Sequence, residues 1–331
     1  MIRRSVLIAS TAVALTVAGC GGGDDDPTPT PTPTSTASPT PTPTATPTYA
    51  ALPLTAAAEF FSVTAAMSYT GDPTAGPVTL GAAGTEAYSN RVRLALQSTV
   101  TAAATTEVVV RENTEESRFT GADLLTAPAP AVTEYVFRET TAPTTAGAFT
   151  QLNLLNNTIA SQVTSDAALA LTRTSYANWW RGDSTTGAKR VTYAAFGYPT
   201  VLTDMPTTGT VAYTVRVNGR VVISPAAGAS TVEALTGTAT LSVNYATGVV
   251  SLSMNLSQGG VAYGTFTGTG AIAVGSNQFT GSFGPGSTAG GTFQGIAHGS
   301  QAAEMAITFA ISGAVAAGDS RAVGVVIGKK S

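Results

Sequence analysis

Residues 238–257, TATLSVNYATGVVSLSMNLS, alternate apolar and polar side chains on both sides of a break at Ala246–Gly248. Leu241, Val243 and Tyr245 share one face, and Val250, Leu252, Met254 and Leu256 share the matching face of the next run. Thr240, Ser242, Asn244, Ser251, Ser253 and Asn255 point the other way. Successive side chains of a strand point to opposite faces, so the pattern predicts an antiparallel hairpin with one face buried and one wet. The segment YTVRVNGRVVI, 213–223, predicts another, with Asn218-Gly219 as the two positive-φ residues of a type I′ turn. Five further runs follow at short intervals: VAYGTFTG (261–268), NQFTGSF (277–283), GTFQGIA (291–297), MAITFAISG (305–313) and RAVGVVIG (321–328). Counted from Val211, this makes about eight or nine short strands.

From Ala51 onward Thr, Val, Gly and Tyr dominate and no long helical periodicity occurs. Many short strands without a helical layer hide their edges by closing on themselves. The expected fold is therefore all-β: a small soluble antiparallel barrel of about eight strands over 196–331, preceded by a β-rich domain over 49–195. Glycines 259, 260, 264, 268 and 270 suit the sharp strand bends of a small barrel. The outward Thr, Ser and Asn residues argue against an outer-membrane pore, whose strands turn an apolar band towards lipid.

Ahead of the strands, residues 27–48 read PTPTPTPTSTASPTPTPTATPT. The tract has almost no apolar surface and its eight prolines remove backbone donors, so it cannot pack a core. It predicts a disordered, extended tether over 20–48. At about 3.1 Å per residue in polyproline II, the reach is on the order of 80 Å. Upstream, Arg3-Arg4 and an apolar stretch from Ser5 to Val17 have the layout of a secretory signal. That stretch is shorter than the roughly 20 apolar residues of a spanning helix.

The lone cysteine of the chain, Cys20, follows Val17-Ala18-Gly19. This quartet resembles the lipobox of bacterial lipoproteins. The resemblance implies a signal peptide over 1–19, a diacylglyceryl group on the Cys20 sulfur, and cleavage before Cys20. Several acyl chains, each buried CH₂ worth about 0.8 kcal/mol, anchor a chain to a membrane in effect permanently. No aspartate follows Cys20 directly, which by analogy with lipoprotein sorting directs the product to the outer membrane, with both the periplasmic face and the cell surface open to it. Without a second cysteine the fold stands on its own core.

Charge adds little. The chain carries 16 Lys+Arg and 19 Asp+Glu, and loss of Arg3 and Arg4 with the signal leaves 14 against 19. This speaks against nucleic acid, which favours a basic face. His298 is the sole histidine and sits in GIAHGS, where a packing or turn role is expected. No pair of histidines offers a metal site and Cys20 is committed to lipid, so no metal or cofactor is expected. Glu115 and Glu116 lie in RENTEESR, 111–118, which reads as a wet polar loop. GVVIGKKS, 324–331, lacks the spacing and hydroxyl of a phosphate-binding loop. Nothing here supports an enzyme.

The densest recognition-like stretch is TSYANWWRGDS, 174–184, which holds both tryptophans. Trp, Tyr and Arg are enriched at binding hot spots, so Tyr176, Trp179, Trp180 and Arg181 are the candidate ligand-binding residues. The competing reading packs the three aromatic residues between the two domains, with 181–184 as a polar turn. Arg181-Gly182-Asp183 also matches the adhesion tripeptide, a match of three residues that arises readily by chance.

TYAAFGYPTVLTDMPTTGTVAY, 192–213, resembles the lead-in to the barrel of transferrin-binding protein B-like surface lipoproteins, with Gly197, Thr200, Met205, Pro206, Gly209, Ala212 and Tyr213 in place. Their closing block is matched by GIAHGSQAAEMAITF, 295–309, through Gly299, Ala302 and Glu304, and the chain ends GKKS. Ser300 replaces the proline of that block and Ala297-His298 its aromatic pair. The resemblance implies a handle domain before the barrel. It also implies an unidentified protein or small-solute ligand, nutrient (iron-related) uptake, and a TonB-dependent receptor as neighbour. The chain has room for one lobe where transferrin-binding protein B has two, so transferrin itself is not the expected ligand. A structural or adhesive surface protein without cargo is the alternative.

Overall fold

The computed structural model describes residues 47–100, 106–140 and 147–331. Cys20, the signal segment 1–19 and the tract up to Thr46 lie outside the described residues. The described chain is all-β apart from three short 3₁₀ turns. No helix among the described residues is long and apolar enough to cross a membrane.

The first nine strands are β1 (Ala58–Thr70), β2 (Thr79–Leu96), β3 (Thr106–Glu112), β4 (Glu115–Thr120), β5 (Leu124–Thr126), β6 (Glu134–Glu139), β7 (Ala148–Leu155), β8 (Thr174–Asp183) and β9 (Ala188–Gly197). They form one antiparallel sheet in the order β4-β3-β2-β1-β9-β8-β7-β6-β5. The two edge strands, β4 and β5, are joined by a 3₁₀ turn of three residues, Gly121–Asp123, so the sheet must curl until its edges approach. Asp123 accepts the Thr120 N–H at 2.7 Å and fixes that turn. Side chains bridge the edges: the Phe119 and Phe137 rings lie 5.7 Å apart, and the Ser117 and Thr150 hydroxyls share a 2.8 Å hydrogen bond. This handle is more regular than its sequence implies.

The remaining strands are β10 (Thr210–Ser224), β11 (Thr231–Asn244), β12 (Val249–Gln258), β13 (Val261–Ile272), β14 (Gln278–Phe283), β15 (Gly290–His298), β16 (Glu304–Val315) and β17 (Gly318–Lys330). They close in sequence order into a barrel, with β10 paired to β17 from Tyr213↔Lys330 to Ser224↔Asp319. The expected handle-plus-barrel arrangement is present. The hairpin of β11 and β12 has the expected faces, with Leu241, Val243, Tyr245, Val250, Leu252, Met254 and Leu256 all buried.

The second expected hairpin is not there. Asn218 and Gly219 lie in mid-strand, opposite Val325 and Gly324 of β17. Their 15-residue strand runs straight through, and the count settles at eight. Pairing along the whole of β17 outweighs the local turn preference, and the glycine serves close packing: a Cβ on Gly219 would sit 2.9 Å from the Val323 carbonyl oxygen. Glycines 264, 268 and 270 likewise lie inside β13 and not at bends. Barrel glycines make room for rings. A Cβ on Gly281 would stand 2.1 Å from Phe293 Cζ, and one on Gly295 2.1 Å from Phe279 Cζ.

Three apolar clusters result. The barrel interior is filled by Phe266, Phe279, Phe283, Phe293, Phe309 and the aliphatic residues around them. A transmembrane barrel has the reverse arrangement, a polar lumen inside an apolar band. The handle interior holds Leu94, Phe119, Phe137, Leu152, Trp179 and Phe196. The third cluster joins the domains: Val63, Met67, Tyr176, Val191 and Tyr193 of the handle meet Val222, Ile296, Ala306, Val323 and Ile327 on the outside of the barrel. The barrel wall is thus apolar outside where the handle covers it, and Thr/Ser/Asn-rich along β11–β13.

Candidate functional site

The recognition-like stretch is β8, in the middle of one wing of the handle sheet. Strand alternation sends its adjacent tryptophans to opposite faces. Trp179 points into the handle and donates its indole N–H to Thr150 Oγ1 at 2.8 Å. Trp180 and Tyr176 face the barrel; Arg220 of β10 lies 4.4 Å from the Trp180 ring centroid. The Tyr176 hydroxyl donates to Glu134 at 2.8 Å, and burial with the nearby Glu134 charge raises its pKa. Tyr176 and Trp179 are buried and Trp180 is half-buried, so the aromatic part of the stretch is occupied by packing on both sides of the strand.

Arg181 is not part of a turn: β8 continues to Asp183, and the Arg181 side chain is buried. It lies 3.5 Å over the Trp179 ring and donates from Nη2 to Glu112 Oε2 at 2.8 Å and from Nε to Glu115 Oε2 at 2.8 Å. Arg190 pairs with Glu112 from a half-buried position, and Thr192 donates to the same carboxylate at 3.0 Å. The segment 111–118 is the tip of the β3–β4 hairpin and is mostly exposed, Glu115 and Glu116 included; Glu112 alone is buried, against Arg181, Arg190 and Thr192. Burial alone would raise the Glu112 pKa; hydrogen bonds and charges from Arg190 and Arg181 outweigh it and hold the carboxyl at about 2. The adhesion-like tripeptide begins with a residue locked in this cluster and ends with Asp183, which caps Thr185 N–H at 2.7 Å.

The motif residues of the barrel also have structural tasks. Thr200 donates to the Gly299 carbonyl at 2.6 Å and accepts Asn277 Nδ2 on its own carbonyl at 2.7 Å. The Tyr213 hydroxyl donates to Ala302 O at 2.8 Å and meets the Tyr245 hydroxyl at 2.6 Å. Glu304 receives the backbone N–H groups of Thr172 and Arg173 at 2.8 and 2.9 Å, so a barrel carboxylate holds a handle loop. His298 is fully buried beside this junction, and neither ring nitrogen has a hydrogen-bond partner among the described residues. Burial lowers its pKa to about 3.

Two of the open grooves lie at the ends of the module. At one end, a groove of about 340 Å³ is lined by Leu202, Met205, Pro206, Tyr245, Ile272 and Val274, with Leu202 and Val274 well exposed. The described chain begins here. The Tyr49 hydroxyl donates to Asp204 at 2.8 Å and accepts the Val201 N–H at 3.1 Å. The carboxyl terminus ends here too, with Ser331 N–H on Ala212 O at 3.1 Å. At the opposite end, a groove of about 530 Å³ lies between the domains, lined by Val78, Leu80, Pro225, Ala226, Val315 and Arg321. The handle loop 71–78 closes onto it through Ser230, which donates its backbone N–H to Pro73 O and accepts the Val78 N–H on its hydroxyl.

In chain course this molecule is similar to transferrin binding protein B. A variant from Haemophilus parasuis matches at 12% identity over 76% of this chain and 47% of that one, with a TM-score of 0.39. The isotype 1 protein from serogroup B Neisseria meningitidis matches at 15% identity over 81% and 44%, with a TM-score of 0.40. An intact structure with both N and C lobes matches at 10% identity over 83% and 78%, at 0.38. The chain spans about half the length of the first of these. No protein-family model and no curated protein matches it.

None of the four sequence-predicted residues lines either groove. The groove residues Pro225, Ala226 and Val315 are ordinary loop and strand-end residues, and nothing in their sequence marks them. All three belong to the barrel, and Val78 and Leu80 of the handle complete the groove against them.

Proposed function

We propose that this chain is a non-enzymatic binding module, anchored to the outer membrane through acyl chains on Cys20, that captures a protein or small solute. The observation that carries this reading is the position of Tyr49 against Asp204. It makes one end of the module the end at which the chain arrives from the Pro/Thr tract. The interdomain groove lies at the other end, with Val78 and Val315 as its apolar floor and Arg321 as a cation at its wall. The filled barrel interior supports recognition on the outer surface over recognition inside the barrel. Handing the cargo to a TonB-dependent receptor for iron-related uptake is the further step in this reading.

The test begins with Cys20→Ser, which is expected to lose incorporation of labelled palmitate and to leave the membrane fraction. Capture from native membranes with the acylated chain then identifies co-purifying partners. Ala226→Arg with Ala316→Arg, at the far groove, is expected to abolish capture, and Val274→Arg, at the near end, to leave it intact. The opposite outcome would move the capture site to the near groove, and acylation-independent retention would remove the anchor. Expression that answers to nutrient supply, beside a transporter gene, separates uptake from a purely adhesive role.

A further inference from the structure

The large apolar side chains left exposed are spread unevenly. Of the seven found among the described residues, four gather at one end of the barrel: Val201, Leu202, Val249 and Val274. This is the end where β12, β14 and β16 begin and β17 stops. Val261, at the start of β13, is the one member of the seven at the other end. Leu202 and Val274 line the same groove of about 340 Å³, and Val249 directly follows its lining residue Gly248. Val274 is fully exposed, in the turn between β13 and β14. A single exposed valine is ordinary, whereas several around one apolar groove mark a surface that meets something other than water.

The charges of this end point the same way. Arg173 donates to the Ala50 carbonyl at 2.8 Å, Lys329 to the Ala167 carbonyl at 2.8 Å and Lys330 to the Gln301 carbonyl. All three therefore spend their bonds on neutral oxygens and keep their charge. The acids are withdrawn. Asp204 and Glu304 are buried, Asp204 receiving Tyr49 and Gln301, Glu304 receiving the Thr172 and Arg173 N–H groups. Asp166 is paired with Arg216 at 3.3 Å, which leaves three cations against the Ser331 carboxylate. The far end has the opposite balance, with Asp72, Glu233 and Asp319 against Arg321. The chain also enters the described fold here, at Tyr49, so the stretch that holds Cys20 joins the fold beside these side chains.

Aliphatic tips beside a basic margin are the chemistry of a bilayer surface, where apolar groups enter the headgroup layer and Lys and Arg meet phosphates. Protein interfaces, by contrast, are depleted in lysine. We propose that this end of the barrel docks directly on a bilayer carrying anionic phospholipid. Leu202 and Val274 enter the headgroup layer, and Arg173, Lys329 and Lys330 face the phosphates. The docking rests on the anchored reading only in that acylation brings a membrane within reach; the contact itself is made by the folded module.

The test uses the chain from Gly21 onward, which keeps every described residue and lacks both the signal segment and Cys20. It is expected to co-sediment with vesicles of phosphatidylethanolamine and phosphatidylglycerol in equal parts. On phosphatidylcholine alone, binding should be weaker by about ten-fold or more. Lys329→Gln with Lys330→Gln should cost roughly 20-fold on the anionic vesicles. Leu202→Glu with Val274→Glu should cost about ten-fold or more, with dichroism and tryptophan fluorescence unchanged. Val274→Glu alone, at the most open of these positions, keeps the test valid if the double variant fails to fold. Val261→Glu, at the far end, should bind as the unaltered chain does. The proposal is overturned if the chain does not bind anionic vesicles, if the Leu202 and Val274 variants bind undiminished, or if Val261→Glu weakens binding as much. A dimer in solution that Val274→Glu dissociates would assign the surface to a second copy and overturn it too. Because Cys20 is absent, failure here leaves acylation standing, and failure of Cys20 acylation leaves this result standing.

Discussion

The handle and the barrel are both curled antiparallel sheets, but they are closed by different means. The barrel is sealed by backbone pairing from β10 to β17 and filled by phenylalanines seated over glycines. The edges of the handle never pair; they are drawn together by a three-residue turn, a ring contact and a hydroxyl bond, and its open mouth is held by Glu112 between two arginines. Apolar filling tolerates acid and salt, whereas a carboxylate that offsets buried guanidinium groups does not. The two domains should therefore fail under different insults, although the cluster between them couples their unfolding. Both tryptophans lie in the handle, so their fluorescence reports that domain and far-ultraviolet dichroism reports the whole.

The largest effect is expected in the barrel. Phe293→Ala removes a ring that Gly281 was left bare to admit, and the cost should be about 4 kcal/mol in denaturant unfolding. If the domains unfold together, tryptophan fluorescence shifts with dichroism; a fluorescence transition left in place would show that the handle stands alone. The handle counterpart is Glu112→Gln, which leaves buried Arg181 with only the exposed Glu115 as counter-charge. It should cost about 3 kcal/mol, against less than about 0.5 for Glu116→Gln, whose pair with Arg118 is exposed. Equal costs for the two glutamates would remove the claim that charge closes the handle.

Acid separates the junction from both. The His298 pKa lies at about 3, below its ordinary 6.5, because the site is buried. The unfolded chain then takes up a proton that the folded chain refuses. The junction's full stability is present above pH 6.5 and is lost as pH falls towards 3, by about 2 kcal/mol already at pH 5. His298→Phe should flatten this window. The Glu112 contribution follows lower down: its carboxyl is held at about 2, so that stability is present above pH 4.5 and is lost as pH falls through 2. A wild-type stability profile that is flat from pH 7 to 5 would contradict the histidine assignment. Next to it, Glu304→Gln should cost about 1.5 kcal/mol by weakening the charge-assisted bonds to Thr172 and Arg173. Its effect should appear in both fluorescence and dichroism, because the bonds join the domains.

How much of this was legible follows from the same contrast. Period-two alternation in 238–257 identifies its hairpin because one face of that hairpin meets water. In β8 both faces are buried, so TSYANWWRG shows no alternation and reads as a cluster of hot-spot residues. The barrel glycines were visible, but their partners, rings on neighbouring strands, were not. Glu112 looked like its exposed neighbours because the arginines that enclose it are 69 and 78 residues further along the chain. The interdomain groove depends on contacts between handle and barrel, which leave no local pattern.

Asn218 gives the smallest effect and the sharpest test of how local preference yields to pairing. If Asn218-Gly219 were a type I′ turn, a β-branched residue at the first position would be forced to positive φ and would disrupt the strand pair. In mid-strand the same residue is favoured by the pleat, and only side-chain bonds to Tyr193 and Glu134 are at stake. A threonine keeps one hydroxyl for these partners. Asn218→Thr should therefore cost under about 1 kcal/mol and leave the dichroism spectrum unchanged. A loss of several kcal/mol would restore the turn, add a strand to the barrel and undo the pairing of β10 with β17.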